Sequence, residues 1–166
     1  MKFAVSDSGD EAFRKLMKKI GLVSDLDVKV GFVRGKKEAR SDGMLTNALI
    51  GYVHEFGVLG KIPARPFLLP AMRQKRSQVQ DTMREGLRVA LGIAGDPRAI
   101  NRAMGQCGAL IRDQAKANIR EQVGFEPLAP ETLRARARKG FKGTKALIRT
   151  GQLMGAIQFE LTDGNS

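Results

Sequence analysis

Val89-Ala90-Leu91-Gly92-Ile93-Ala94-Gly95-Asp96-Pro97-Arg98-Ala99-Ile100 stands between two long apolar periods, and its reading decides the architecture. Upstream, Val79, Met83, Leu87, Ala90 and Ala94 step by 4, 4, 3 and 4. Downstream, Ile100, Met104, Cys107, Ile111 and Ala115 step by 4, 3, 4 and 4. Each set falls on one side of an α-helix. Between them Gly95 suits a C-cap, Asp96 an N-cap and Pro97 the first helical position, where a missing N–H costs nothing. A short turn between helices favours antiparallel neighbours, so residues 68–122 are expected to form a helical hairpin or a sharply kinked pair.

Working outward, Lys61-Ile62-Pro63-Ala64-Arg65-Pro66-Phe67 holds two prolines. Each fixes its own φ and pushes the preceding residue toward an extended conformation, so Ala64 and Arg65 belong to a stiff connector. Before it, Leu45, Leu49, Tyr52, Val53 and Phe56 step by 4, 3, 1 and 3, the spacing of an amphipathic helix closed by Gly57. Residues 34–43 show no apolar period and read as a flexible loop. In Leu26–Val33, Leu26, Val28, Val30 and Phe32 alternate with Asp27, Lys29 and Gly31, the period of a half-buried strand. Earlier still, Phe13, Leu16, Met17 and Ile20 mark a helix capped by Ser8 or Asp10 and ended by Gly21, and Lys2–Val5 reads as a short strand.

Toward the C-terminus, Glu131–Arg138 follows Pro130 as a short helix, and residues 139–145 form a basic, glycine-bearing loop expected to be flexible. Leu147–Leu153 reads as a helical turn that Thr150-Gly151 brings to an end. Ala156–Thr162 then alternates Ile157, Phe159 and Leu161 with polar neighbours, as a strand does. Three strands and about five helices predict a single α+β domain over residues 1–166. Its small antiparallel sheet would carry helices on one face and pair the last strand with the early ones.

The chain has 166 residues, 42% of them hydrophobic, enough for one core. No stretch approaches the ~20 apolar residues of a membrane span. Met1-Lys2-Phe3-Ala4-Val5-Ser6-Asp7 turns polar too early for a signal peptide, and the single cysteine excludes an internal disulfide framework. The expectation is a protein made in a reducing cytoplasm and not associated with a membrane. The net charge of +12 is concentrated in the middle, where residues 58–123 carry 12 basic and 5 acidic side chains. Such a surface favours polyanions: nucleic acid, anionic lipid or an acidic protein face.

Catalytic chemistry finds no candidate residues. A zinc-protease helix needs a second histidine four positions after His54, where Val58 stands, and there is no other histidine. His54 reads as a surface or interface residue, and Cys107, on an apolar stripe, as a buried inert thiol. Gly31-Phe32-Val33-Arg34-Gly35 lacks the Gly-Lys-Ser/Thr ending of a phosphate loop, and no serine sits in a nucleophile elbow. No catalytic residue, cofactor or metal is expected, and the chain is not read as an enzyme. Arg73, Lys75 and Arg76 form one basic cluster. Arg134, Arg136, Arg138 and Lys139, extended by Lys142 and Lys145, form another. They read either as contacts to phosphates or an acidic protein, or as solvated helix faces. Stacking platforms for single strands are poorly provided by eight Phe and one Tyr at mostly core spacings.

Two stretches together resemble one family. The first is Ile50-Gly51-Tyr52-Val53-His54-Glu55-Phe56-Gly57 followed by Ile62-Pro63-Ala64-Arg65-Pro66-Phe67-Leu68. The second is Pro127-Leu128-Ala129-Pro130-Glu131-Thr132-Leu133, then Leu147-Ile148-Arg149-Thr150-Gly151-Gln152-Leu153 and an alternating strand. In this order they are similar to the tail-completion and virion-morphogenesis proteins of tailed bacteriophages, including the Mu-like group. Phe125 departs from the tryptophan that relatives often place before the Pro-Leu. The resemblance implies a neck or tail-end virion subunit, assembled in the bacterial cytoplasm as a sixfold ring around the DNA passage. Its partners would be its own copies, other neck and tail proteins and, without sequence reading, DNA in the channel. Arg65, Pro63, Pro66, Phe67, Thr150 and Gly151 then become interface candidates, Arg65 being suited either to packing a loop or to pairing with a neighbouring subunit. The alternative is a basic nucleic-acid-binding protein without sequence specificity.

Overall fold

The computed structural model describes residues 26–33, 46–92, 95–96 and 98–163, with residues 11, 13–15, 17, 18 and 21 nearer the N-terminus. Its elements are β1 (Leu26–Gly31), α1 (Asn47–Phe56), α2 (Leu68–Leu91), α3 (Arg98–Glu121), α4 (Pro130–Arg138), α5 (Gln152–Ala156) and β2 (Gln158–Asp163). The class is α+β, a two-stranded antiparallel sheet set against a long helix pair. The strand expected at Lys2–Val5 and the loop expected at 34–43 lie outside the described residues. Those described between 11 and 21 are helical, where the first helix was expected.

The hairpin forms because its two apolar stripes cover each other, with the sheet and the C-terminal segment closing over them. Ile100, Met104 and Cys107 are buried along α3 on the side of Val79, Met83, Leu87 and Ala90 of α2, and Ala115 is buried with Ala71. The Cys107 thiol reaches the Val79 carbonyl at 3.7 Å, and Gly86 lies against Ala103, so the helices run antiparallel. The turn differs from expectation in one respect. α2 ends at Leu91 with Gly92 as its C-cap, about one turn before Gly95, and the N–H of Gly92 bonds the Arg88 carbonyl. Ending there leaves room for Asp96 to act at the next helix: its Oδ1 accepts from the Arg98 N–H, and its Oδ2 pairs with Arg102 at 2.6 Å.

The sheet lies on α3. Val28 faces Leu161 and Val30 faces Phe159 across the ladder, which puts these apolar side chains on one side. Gly108 of α3 admits them, since a Cβ there would stand 2.6 Å from the Phe159 ring and 3.0 Å from Val28. Two core clusters result. One, near the hairpin turn, joins Ala90, Ala99, Ile100 and Met104. The other, at the open end, joins Phe67, Ala71, Ala115, Ile119 and Ile157. Fully burying Phe67, Ile100, Ile119 and Ile157 contributes about 1.5–3 kcal/mol each.

Two sequence expectations are corrected here. The helical turn lies at Gln152–Ala156, not Leu147–Leu153: Leu147 has φ 62, and Gly151, left-handed at φ 71, is the N-cap. Thr150-Gly151 therefore starts a helix rather than ending one, with the Thr150 hydroxyl 3.4 Å from the Gln152 N–H. The second correction is the phase of α1. Leu49, Tyr52 and Phe56, expected to face the core, are exposed, Tyr52 by 64% and Phe56 by 57%. The docked face is Asn47, Gly51 and Glu55. The Phe32 ring takes the space a Cβ on Gly51 would need, so the helix backbone itself becomes a packing surface.

Candidate functional site

Glu55 gives the α1 phase its purpose. Phe67, at the N-cap of α2, makes no side-chain cap of its own. The Glu55 carboxylate supplies it from the other helix, accepting from the N–H of Phe67 at 2.9 Å, Leu68 at 3.0 Å and Leu69 at 2.8 Å. A carboxylate at a helix N-terminus satisfies orphan donors and complements the dipole. Glu55 is thereby committed to a structural task and is no general base. The Phe67 carbonyl is held from the far side by Asn118 at 3.1 Å, and its ring meets Phe32 edge-on, centroids 6.2 Å apart.

Arg65 joins the two motif stretches. Only 5% exposed, it donates from Nε to the Glu126 carbonyl at 3.1 Å and from Nη2 to that of Pro127 at 3.4 Å. Its N–H bonds the His54 carbonyl at 2.7 Å. Of its two expected roles, packing a loop of its own chain is the one these bonds perform. Pro63 and Pro66 are half-buried around it, Phe67 is core, and Thr150 is exposed on the surface.

Above this junction opens a groove of about 1000 Å³, bounded by α1, the connector, the 126–129 loop, α4 and the segment leading into α5. Lys61, Arg65, Arg136, Lys139, Arg149 and His54 line it, and Glu126 is the one acid among the described lining residues. Leu49, Ile50, Val53, Leu128 and Leu153 give it apolar walls. Arg136 turns inward from an otherwise exposed helix and donates to the carbonyls of Gly143 at 3.1 Å and Lys145 at 2.8 Å. Burial first, then the Arg149 and Arg65 guanidiniums, lower the Arg136 pKa. Arg149 lies 5.2 Å over the Phe141 ring. His54 is half-buried, its Nδ1 without a hydrogen-bond partner, and burial followed by Arg65 pushes its pKa down.

The basic residues singled out from sequence do not all converge. Arg136 and Lys139 reach the groove, whereas Arg134, Arg138 and Lys142 are exposed outside its lining. Lys145 is tied to the Arg120 carbonyl at 2.7 Å. On α2, Arg73 and Arg76 face solvent, and Lys75 bonds Gln78 at 3.1 Å beside a shallow hollow between α2 and α3. Sequence reasoning missed Lys61 and Arg149 as basic groove residues. Arg149 was visible inside the motif Leu147–Leu153, but nothing local joins it to Arg136.

Among the described residues no three His, Cys, Asp or Glu side chains stand together as metal ligands, and no helix is long and apolar enough to cross a membrane. Cys107 is buried, and burial raises its thiol pKa. No family model, curated protein or solved structure matches the chain.

Proposed function

We propose that the chain is a structural subunit of a tailed-phage neck or tail end, assembling with its own copies as a sixfold ring that joins head to tail. The observation that carries this reading is the apolar face of α1. Leu49, Tyr52 and Phe56, continued by Val58 and the fully exposed Leu59, stand in solvent within the motif region itself. The Tyr52 and Phe56 rings pack at 4.8 Å, so these two exposed rings form a joint surface. Contiguous apolar patches of this kind mark protein interfaces. Ring closure makes many modest interfaces cooperative.

The test is to locate a gold-labelled tagged copy in sedimented particles by electron microscopy. Label at the head–tail junction is expected. Particles that form normally without label overturn the reading. A second reading, binding of nucleic acid without sequence preference, draws on the +12 charge. Steep loss of DNA affinity with salt, from a protein that forms no ring, would favour it.

A further inference from the structure

We propose that the basic groove beside Arg149 is a docking site for an extended acidic peptide segment, carboxylates alternating with apolar side chains, from a neighbouring protein. The proposal rests on the assembly reading for the neighbour's identity, not for the chemistry of the site. Four arginines elsewhere, Arg84, Arg88, Arg102 and Arg112, each hold a carboxylate at 2.6–2.7 Å. The groove arginines differ. Arg65 and Arg136 donate to neutral backbone carbonyls and Arg149 lies on a ring, and among the described residues none of the three has an ion-pair partner. Cations gathered in a half-buried cleft with Glu126 as the one acid among its described lining residues repel one another, and an anionic ligand reduces that cost.

The lining decides between anions. Apolar walls from α1, the 126–129 loop and α5 offer nothing to a phosphodiester backbone but accept leucine- or valine-sized side chains. Among the described residues no Phe, Tyr or Trp lines the groove, so single-stranded bases would have only the His54 imidazole as a ring to stack on there. Its volume of about 1000 Å³ is at the upper end for small-ligand pockets and suits a short stretch of chain. Guanidiniums beside apolar walls suit carboxylates flanked by apolar side chains, as on a peptide-binding surface.

The probe is a fluorescein-labelled octapeptide alternating Glu and Leu, titrated with the whole chain at about 150 mM NaCl and followed by anisotropy, a salt level that screens diffuse attraction. Saturable binding is expected, weakened at least tenfold by Arg149→Glu and by Lys139→Glu, both at exposed positions. Arg73→Glu on α2 removes the same net charge and is expected to change affinity less than twofold. Equal effects at Arg149 and Arg73, or no saturable binding, overturn the proposal. So does a duplex DNA that displaces the peptide and is itself weakened by Arg149→Glu, which would make the groove a nucleic-acid site. Circular dichroism melts of each variant confirm folding. Gold label at the neck with no peptide binding refutes this inference alone. Groove binding by a protein absent from particles refutes the assembly reading alone.

Discussion

Replacing Glu55 by alanine removes one acceptor group from three backbone donors at once. The Phe67 N–H is enclosed with a residue only 1% exposed, so water cannot replace the carboxylate there. Leaving one such donor unsatisfied costs about 1–3 kcal/mol. Leu68 and Leu69 are more open, and their N–H groups recover solvent bonds, so their loss resembles that of an ordinary N-cap, about 1 kcal/mol. Losing the negative charge at the start of a 24-residue helix adds about 0.3–1 kcal/mol. Glu55→Ala is therefore expected to destabilise the fold by about 3–4 kcal/mol, or on the order of 10 °C in melting temperature.

Glu55→Gln keeps one carbonyl oxygen in place and loses the charge, and about half that cost is expected. Urea unfolding followed at the helical circular-dichroism band measures both, provided the dependence on urea is unchanged between variants. A cost below about 1 kcal/mol for Glu55→Ala would refute the claim that this carboxylate anchors α1 to α2.

Gly51→Ala forces a methyl into the Phe32 ring and should cost about 1–3 kcal/mol, whereas Gly105→Ala, in open space on α3, should stabilise by about 0.5–1 kcal/mol. Equal signs in thermal melts would contradict the packing described. Tyr52→Ser with Phe56→Ser should leave folding stability within about 0.5 kcal/mol, since both rings are exposed, and, under the proposed ring assembly, shift sedimentation from oligomer to monomer. An unchanged oligomer would remove α1 from the interface. For His54 the folded pKa lies below its ordinary value of 6.5, so the unfolded chain binds the proton more readily. Its contribution to stability is present above about pH 6.5 and is lost as pH falls through the folded pKa. Wild type should thus lose more stability than His54→Gln between about pH 7 and 5, and parallel profiles would remove the histidine as the cause.

The hairpin and the sheet were legible because their residues repeat. Ile100, Met104, Cys107, Ile111 and Ala115 declare a stripe by spacing alone, and all are buried except Ile111, which is half-buried. The phase of α1 was not legible, because what docks that helix is a glycine, an asparagine and a glutamate, none of which carries a hydropathy signal. Glu55 is buried for its three hydrogen bonds and Gly51 for its missing side chain. The groove was half-visible for a similar reason. Arg136 and Lys139 are neighbours in sequence, but Lys61 and Arg149 join them only after Arg65 has pinned the 126–127 backbone.

That arrangement separates two kinds of motif residue. Phe67 has its N–H held by Glu55, its carbonyl by Asn118 and its ring by Phe32, so α1, α2, α3 and the exit of β1 meet at one residue. Gln122 closes the same end of the molecule by exchanging hydrogen bonds with both backbone groups of Ala146. Glu55, Arg65 and Phe67 are thus bound inward, and changing them weakens the platform before it changes any contact with a partner. Tyr52, Phe56 and Arg149 belong to the same two stretches but point outward. Substitutions at the first three should lower stability and assembly together. Substitutions at the last three should alter association at constant stability. A dataset in which Arg65→Ala abolished association without lowering the melting temperature would reverse that division, making Arg65 a contact to a partner rather than the tie between the two halves of the motif.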